Sequence, residues 1–308
     1  MTKILYIVNT NPFRGHGNEM WKKFSSAWPE EILPEDVIMT QRSGHAREIA
    51  ADCKEYDIIA SFGGDGTASD ILSGIMERNE PRPAMAIFPG GTTNIMAHNL
   101  GMGSVEDAIT ILRDGHTRPF DIMRIDCQAN GRSAHKYSFL ACNAGFAAVS
   151  YKMLGPWMER VFGQKIGRYL RAITGMVIYK PTRMTVRYEG REYSDYTKAI
   201  LIGNTEWILE NNVQTTPGIS PDNGKLNVTI IPAQTKIRDF SNISKIAVGR
   251  GIKERGVLYF LTKRSEIESD PPADLAIDGE FFGTTPATVT LCPRAVRVIS
   301  AKTQIKTG

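Results

Sequence analysis

Two glycine-rich segments, SFGGDGT at 61–67 and FPGGTTN at 88–94, each come at the end of a short apolar run. The runs are DIIASF at 57–62 and AMAIF at 84–88, and a similar run, ILYIV, lies at 4–8. Compact apolar runs of this kind are typical of strands buried on both faces. A chain that repeats strand, glycine turn and helix is expected to form a parallel sheet with helices on its faces.

The helices of this repetition are recognised by their apolar spacing. Directly after GGDGT, the segment ASDILSGIMERN carries apolar residues at helical intervals: Ala68, Ile71, Leu72, Ile75 and Met76. A second helix is predicted over SVEDAITILRDG. Ser104 is placed to cap its N-terminus, Asp107 follows three residues later as a weaker capping box, and Gly115 ends it.

The pattern changes near FDIMRIDC at 120–127. Beyond it most apolar runs alternate and are separated by turn dipeptides, which predicts an antiparallel β domain: Asn130-Gly131, Glu189-Gly190, Asn223-Gly224 and Asp278-Gly279. We therefore predict an α/β plus all-β chain. A doubly wound α/β domain spans 1–124, and an antiparallel β-sandwich domain spans 125–308, with C-terminal residues that can pack back on the first domain.

Composition and charge exclude several classes of protein. The 308 residues have a net charge of +4 and a pI of about 8.8, which favours anionic partners but is too weak to indicate nucleic-acid binding. The four cysteines are widely spaced, so neither a zinc site nor a disulfide framework is indicated and a reducing cytoplasm fits best. Apolar runs stay well below ~18 residues, so we expect neither a membrane span nor an export signal.

The two glycine loops suit a phosphate ligand. Glycines let backbone N–H groups approach an anion with no Cβ in the way, and the N-terminus of the following helix adds positive partial charge. For a single glycine pair, a tight strand-to-helix turn is an equally good explanation. Two such loops after neighbouring parallel strands meet at one edge of the sheet, and this favours the phosphate interpretation.

Two side chains of the first loop add to this interpretation. Asp65 is not required by a turn, whereas a Mg²⁺-nucleotide or a substrate hydroxyl could use its carboxylate. Thr67 has a simpler interpretation as the N-cap of the following helix.

GGDGT followed by PGGTTN is accompanied by further segments in a fixed order: NPFRGHG at 11–17, MTQRSGHAREIA at 39–50, FDIMRI at 120–125, CNAGFAA at 142–148, SPDNGKLNV at 220–228 and LAIDGEFF at 275–282. Together these resemble the diacylglycerol-kinase catalytic family, which includes sphingosine and ceramide kinases and bacterial soluble lipid kinases. Each segment is weak alone, but their order and spacing are specific. The resemblance covers nearly the whole chain.

This resemblance implies an ATP-dependent lipid kinase with its active site in the cleft between the two domains. The glycine loops of such kinases cradle the triphosphate, and Mg²⁺ spreads the charge that develops during transfer. The residues that the resemblance places near ATP are Asn11, Thr40, Gly63, Gly64, Asp65, Gly66, Thr67, Gly90, Gly91, Thr92 and Asn94.

The segment LAIDGEFF has two interpretations. Alone, it is the ordinary signature of a type I′ hairpin, in which Asp278 and Glu280 would be solvated turn residues. In the family this hairpin is held toward the cleft, and its glutamate is the proton acceptor, a role that the resemblance gives to Glu280. Asp65, Asp278 and Glu280 are therefore the candidate catalytic carboxylates. The sequence does not rank Asp65 against Glu280 as the base.

One segment departs from the family pattern. Many bacterial members have Asp-Asp-Gly where this chain has Asp222-Asn223-Gly224, and Asn227 replaces a common acidic position. An amide binds Mg²⁺ less strongly than a carboxylate does, so we do not expect a strong second Mg²⁺ site. Asp222 is retained, and the predicted metal ligands are thus Asp65 and Asp222.

Residues 151–180 are predicted to be helical within the β domain. Their apolar side chains can simply pack on that domain. In the other interpretation, aromatic and cationic side chains lie at an anionic membrane surface: Trp157, Phe162, Lys165, Arg168 and Arg171. The resemblance favours this second interpretation, with the protein peripheral at the inner face of the membrane. A homodimer is compatible with the sequence.

We expect transfer of the γ-phosphate of ATP to a membrane lipid, with diacylglycerol or a related glycerolipid first and a sphingoid base or ceramide second. A soluble-substrate kinase is one alternative, because NAD kinases and phosphofructokinases share GGDGT. NAD kinases, however, carry Asn-Asp-Glu where this chain has PGGTTN followed by Ile95. A nucleotide- or lipid-binding regulator without turnover is another, suggested by Asn223 and Asn227 and opposed by the three retained carboxylates.

Overall fold

The computed structural model describes residues 2–10, 17–79, 81–91, 94–146, 148–149, 157–163, 166–167, 170, 174–175, 178–205, 220–233 and 256–302. The chain divides into two compact units. Met1–Phe120 and Pro293–Gly308 form the first unit, and Asp121–Cys292 forms the second. An α/β unit is followed by a β-rich unit, so the predicted fold class is confirmed.

The first unit alternates strands and helices, as the glycine turns predict. Its elements are β1 (Ile4–Asn9), α1 (Gly17–Ala27), β2 (Val37–Thr40), α2 (His45–Asp52), β3 (Ile58–Gly63), α3 (Asp65–Met76), β4 (Ala84–Pro89), α4 (Ile95–Asn99) and α5 (Val105–Asp114). These four strands are parallel in the order β2-β1-β3-β4. The end of the last strand, β14 (Glu280–Ile299), joins β4 in parallel through Val298 and Met85.

An aromatic cluster fills the space between α1 and this sheet. Trp21 and Phe24 of α1 lie against Tyr6, Phe62 and Phe88 of the strands, and the Phe62 and Phe88 rings stack with centroids 4.2 Å apart. Aromatic pairs stabilise a fold by about 0.5–1.5 kcal/mol each beyond the area they bury. The cluster therefore fixes α1 on the strands whose ends carry the glycine loops.

The caps of α5 are those that the sequence predicts. The Ser104 side chain accepts a hydrogen bond from the Asp107 N–H at 3.0 Å, and Gly115 adopts the left-handed conformation that ends the helix. The helix predicted after GGDGT is also confirmed. It begins at Asp65, inside the motif rather than after it.

The second unit consists mostly of antiparallel strands. Its elements are β5 (Thr117–Ala129) from Asp121 onward, β6 (Arg132–Ser138), β7 (Ala141–Gly145), α6 (Trp157–Phe162), β8 (Thr182–Tyr188), β9 (Arg191–Gly203), β10 (Leu226–Pro232), β11 (Leu258–Thr262), β12 (Arg264–Asp270), β13 (Asp274–Ile277) and the first part of β14. One path of paired strands runs β11-β10-β9-β7-β13-β14. Strand β8 joins β9 to β12, β12 joins β14, and β5 pairs with β6.

Three of the predicted hairpin turns are present as two-residue loops. Both residues of Asn130-Gly131, Glu189-Gly190 and Asp278-Gly279 have positive φ, as type I′ turns require. The inward residues of the strands form one buried cluster that includes Met123, Met184, Ile200, Val228 and Leu275. Register is therefore set by the turns and by the face that each strand buries.

Candidate active site

Both glycine loops lie at the carboxyl ends of parallel strands in the first unit. Gly63 is the last residue of β3 and is followed by the N-cap of α3, Gly64. Gly63 lies opposite Pro89 of β4, and the N–H of Gly90 donates to the Gly63 carbonyl at 3.0 Å. The two loops therefore begin side by side at one edge of the sheet.

The loops pack backbone against backbone, and this explains their glycines. A Cβ on Gly91 would lie 2.3 Å from the Gly64 Cα, and a Cβ on Gly90 would lie 2.9 Å from the Gly17 Cα. A side chain at either position has no room. The close packing of the two loops thus requires glycine at these positions. The same lack of Cβ atoms also suits phosphate binding, because it lets backbone N–H groups approach an anion.

Asp65 joins the two loops. Its carboxylate accepts hydrogen bonds from the backbone N–H groups of Ile95 and Met96, both at 3.2 Å. Asp65 is the first residue of α3, and its two donors are the first residues of α4. Negative charge is favoured at a helix N-terminus, so this contact holds GGDGT and PGGTTN in one arrangement.

Asn94 closes the second loop on itself. Its Oδ1 accepts from the Gly91 N–H at 2.7 Å, and its Nδ2 donates to the Gly91 carbonyl at 2.8 Å. Asn94 has a φ of 51°, which asparagine tolerates better than most residues. Thr92, also predicted to contact ATP, lies outside the described residues.

The N-cap interpretation of Thr67 is wrong, because α3 begins earlier and Gly64 occupies the cap position. Thr67 is buried in the first turn of α3, where its hydroxyl accepts from Asn9 Nδ2 at 2.8 Å. Asn9 ends β1 and was not predicted as a site residue. The pair ties the end of β1 to the first turn of α3.

The remaining residues predicted to contact ATP lie at the same strand ends or outside the description. Thr40 ends β2, opposite Asn9 of β1, and its carbonyl accepts from the Thr10 hydroxyl at 3.0 Å. Gly66 is exposed in the first turn of α3. Asn11 lies outside the described residues.

The Asp278 carboxylate is bound by protein donors inside the second unit. It accepts from the Ser138 hydroxyl at 2.5 Å, and three backbone N–H groups donate to it at 3.1–3.4 Å: Phe139, Leu140 and Ala141. Burial raises the pKa of Asp278, while these hydrogen bonds and a nearby lysine oppose that rise. The interpretation of Asp278 as a solvated turn residue is therefore wrong. Its carboxylate supports the hairpin, and its catalytic assignment stays a prediction.

Glu280, in contrast, presents its carboxylate to solvent. It is the first residue of β14, opposite Ile277 across the turn, and its side chain is 55% exposed. Its Oε2 lies 3.8 Å from the Nζ of Lys136 on β6. Sequence reasoning missed Lys136, which lies in an alternating strand outside the motifs.

The segment around Asp222 is bonded internally. The Asp222 carboxylate accepts from the Ser220 hydroxyl, and the Gly224 N–H donates to Oδ2 of the buried Asp121 at 2.7 Å. Across the part of the chain that the structure describes, no group of three or more His, Cys, Asp or Glu side chains is placed to hold a metal ion. The assignment of Asp222 as a Mg²⁺ ligand stays a prediction.

The predicted helical segment at 151–180 is described in part. Val161, Phe162 and Ile166 expose 66%, 48% and 61% of their surface, so about half or more of each of these apolar residues is open to solvent. Lys165, Arg168, Arg171 and the Trp157 side chain lie outside the description. None of the described helices is long and apolar enough to span a bilayer.

Comparison with protein families gives two matches along the chain. Residues 3–125 match the diacylglycerol kinase catalytic domain, and residues 157–300 match the YegS C-terminal NAD kinase beta sandwich-like domain. The N-terminal part of the chain, residues 3–125, thus matches the diacylglycerol kinase catalytic-domain family. The resemblance inferred from the order of its motifs is confirmed.

Individual relatives of this family extend over nearly the whole chain. A diacylglycerol kinase of Bacillus subtilis (strain 168) is 24% identical over 297 residues, which cover 94% of this chain and 92% of that protein. A crystal structure of a diacylglycerol kinase from Bacillus anthracis str. Sterne has a TM-score of 0.74 and 25% identity, covering 97% of this chain and 96% of that chain. The similarity thus includes both units.

A yeast NADH kinase, solved in complex with NADH, is a more distant structural neighbour of this chain. Its TM-score is 0.52 at 14% identity, with coverage of 98% of this chain and 84% of that chain. At this identity the similarity concerns the fold alone.

Proposed function

We propose that the protein is a lipid kinase that transfers the γ-phosphate of ATP to a hydroxyl group of a membrane lipid. The observation that carries this proposal is the pair of glycine loops, which pack Cα against Cα at the carboxyl edge of the sheet and are tied by Asp65. The match of residues 3–125 to the diacylglycerol kinase catalytic domain, and relatives that bear that name, support a lipid as the acceptor.

The loops fit a triphosphate. Gly63, Gly64, Gly90 and Gly91 carry no Cβ toward the edge, and the first N–H groups of the 12-residue α3 begin there, where an anion is favoured. Mg²⁺ is usually held by one or two carboxylates together with substrate phosphates, and Asp65 is the carboxylate at these loops. When bound with ATP, the ion neutralises charge on the transferring phosphoryl group.

The second unit supplies Glu280, to which we assign the acceptor proton. A general base must bring a carboxylate oxygen within hydrogen-bond reach of the hydroxyl, and the exposed Glu280 side chain is free of the four-donor cage that holds Asp278. Phosphoryl transfer requires little covalent chemistry beyond orientation and charge stabilisation. Asp65 orders the nucleotide loops, and Asp278 holds the turn that presents Glu280.

A kinase assay with a panel of lipids tests this function. Radiolabelled ATP is supplied with vesicles containing diacylglycerol, monoacylglycerol, phosphatidylglycerol, sphingosine or ceramide, one lipid in each reaction. We expect label on diacylglycerol or a related glycerolipid, and a sphingoid base or ceramide is the second choice. Label on none of these lipids would overturn the proposal and leave the soluble-acceptor kinase or the regulator without turnover.

We further propose that the enzyme meets its lipid by contact with an anionic membrane surface. The exposed Val161, Phe162 and Ile166 offer apolar area of the kind that enters the interface between headgroups and acyl chains. We expect Phe162→Ser to lower sedimentation with phosphatidylglycerol vesicles several-fold, while ATP binding stays unchanged. Equal sedimentation of the variant and the wild-type protein would remove this contact from the proposal.

A further inference from the structure

A lysine of the second unit lies beside the proposed base and is held there by packing. Lys136 is on β6, opposite Ile125 of β5, and only 15% of its side chain is exposed. Its ammonium group lies 5.5 Å from the centroid of the Phe282 ring, a distance at which a cation is attracted to the ring face. Its position is therefore set before it meets a carboxylate.

Lys136 interacts with two carboxylates that differ in their environment. Its Nζ is 3.8 Å from the exposed Glu280, and its positive charge also acts on the half-buried Asp278. Asp278 is already fixed by its hydrogen bonds to the segment 138–141. Glu280 is the carboxylate whose position the lysine can still decide.

An ion pair between two exposed side chains usually contributes little, because both long chains lose conformational freedom when they pair. Here the lysine is already ordered by burial of its aliphatic stem and by Phe282. Only Glu280 has to be ordered by the contact. The pair is thus better suited to direct the glutamate than to stabilise the fold.

We propose that Lys136 is a positioning residue that directs the Glu280 carboxylate and compensates its charge during phosphoryl transfer. This inference rests on the proposed function. The negative charge of ATP disfavours a further negative charge among the reacting groups, and a cation 3.8 Å from the Glu280 carboxylate offsets that repulsion. Lys136 acts through Glu280 and does not itself take the proton.

The test compares Lys136→Met with Lys136→Arg in the diacylglycerol vesicle assay with labelled ATP. We expect K136M to lower kcat about 10-fold, in the range of a lost electrostatic or orienting contact, with the KM for ATP and the melting temperature unchanged. K136R keeps the charge and is expected to recover at least half of the wild-type kcat. Arg132→Met, which removes an exposed cation from the same strand, is the control and should match the wild type.

A double-mutant cycle decides whether the lysine acts through the glutamate. In the Glu280→Gln background, K136M should cause no further loss, because residues that act as a unit are not additive. A full additional 10-fold loss there, or a K136R rate as low as that of K136M, would overturn the inference. An active enzyme whose rate is unchanged in K136M would overturn the inference and leave the proposed function standing. A wild-type protein that labels no acceptor would overturn both.

Discussion

The GGDGT loop of the first unit and the DGE hairpin of the second each contain an aspartate whose carboxylate binds backbone N–H groups of another segment. The two aspartates differ in the number of donors that they bind. Asp65 is half-buried and accepts from two backbone N–H groups of the neighbouring loop. Asp278 is half-buried as well and accepts from one hydroxyl and three N–H groups. In both motifs an aspartate joins two segments of chain. Glu280 is exposed and carries the ion pair with Lys136.

Replacement of the exposed glutamate is expected to have the largest effect. Glu280→Gln should lower kcat at least ~10²-fold with little change in the KM for ATP, because an amide cannot accept the proton. Glu192→Gln is a matched control, since Glu192 is also 55% exposed and pairs with a cation, Arg187. Initial rates with labelled ATP measure the effect. Near-normal turnover in E280Q would remove the base assignment.

Asp65→Asn should also lower turnover at least ~10²-fold, but with a second signature. The amide directs an N–H₂ group toward one of its two backbone donors and leaves that N–H without an acceptor. The two loops then lose their common arrangement, so we expect the KM for ATP to rise. No such rise is expected for E280Q. Asp52→Asn, at the exposed end of α2, is the control. A D65N variant with normal turnover and ATP binding would contradict the role of Asp65 in joining the loops.

The fold and the side-by-side glycine loops of the site were largely predictable from the sequence. Local signals were sufficient for α5, whose Ser104 cap is made within its own first turn, and for the Asp278-Gly279 turn, where both residues have positive φ. The side-by-side arrangement of the glycine loops also followed, because parallel strands place their carboxyl ends together.

Contacts between distant segments were not predictable. Asp65 binds donors 30 and 31 residues away, and Asp278 binds donors 137 to 140 residues away. Strand alternation predicts which face of a strand a side chain lies on, but not its neighbour, so Lys136 was missed. Thr67 was misassigned because the sequence does not show that the helix begins inside GGDGT.

For stability, the more completely bonded aspartate should matter most. Asp278→Ala leaves one hydroxyl and three backbone N–H groups without their acceptor, and we expect a loss of about 2–4 kcal/mol in the free energy of unfolding. Glu189→Ala is the matched control, since Glu189 is exposed at the same position of another hairpin turn with positive φ. Chemical denaturation of both variants measures the difference. Equal losses would show that backbone strain, not the carboxylate, explains the effect.

The packing of the glycine loops predicts a smaller loss in the free energy of unfolding than that of Asp278→Ala. Gly91→Ala places a Cβ 2.3 Å from the Gly64 Cα, and overpacking of this kind costs about 1–3 kcal/mol. Gly103→Ala is the control, because its Cβ would lie no closer than 3.7 Å to the Asp107 carboxylate. Thermal unfolding with and without ATP should show that G91A loses both stability and stabilisation by ATP. A G91A variant that ATP stabilises as much as it stabilises the wild type would contradict ATP binding at the glycine loops.

The smallest expected effect is on pH dependence. Burial raises the pKa of Asp278 above the value of about 3.9 for an unfolded aspartate. A raised pKa in the folded state gives a contribution that is complete below the unfolded value and is lost as the pH rises through the folded one. The stability advantage of the wild type over Asp278→Asn should therefore shrink as the pH rises from about 4. An advantage that grows with pH would show that the carboxylate is stabilised in its charged form.

The central claim is the phosphorylation of a lipid, and a competition reaction tests it most directly. Wild-type protein receives labelled ATP together with diacylglycerol vesicles, NAD⁺ and fructose 6-phosphate in one tube, and the label is separated between the lipid and aqueous phases. We predict that transferred label appears in the lipid phase, at an initial rate that is at least ~10²-fold lower with E280Q. Label found only on NAD⁺ or fructose 6-phosphate would contradict a lipid kinase.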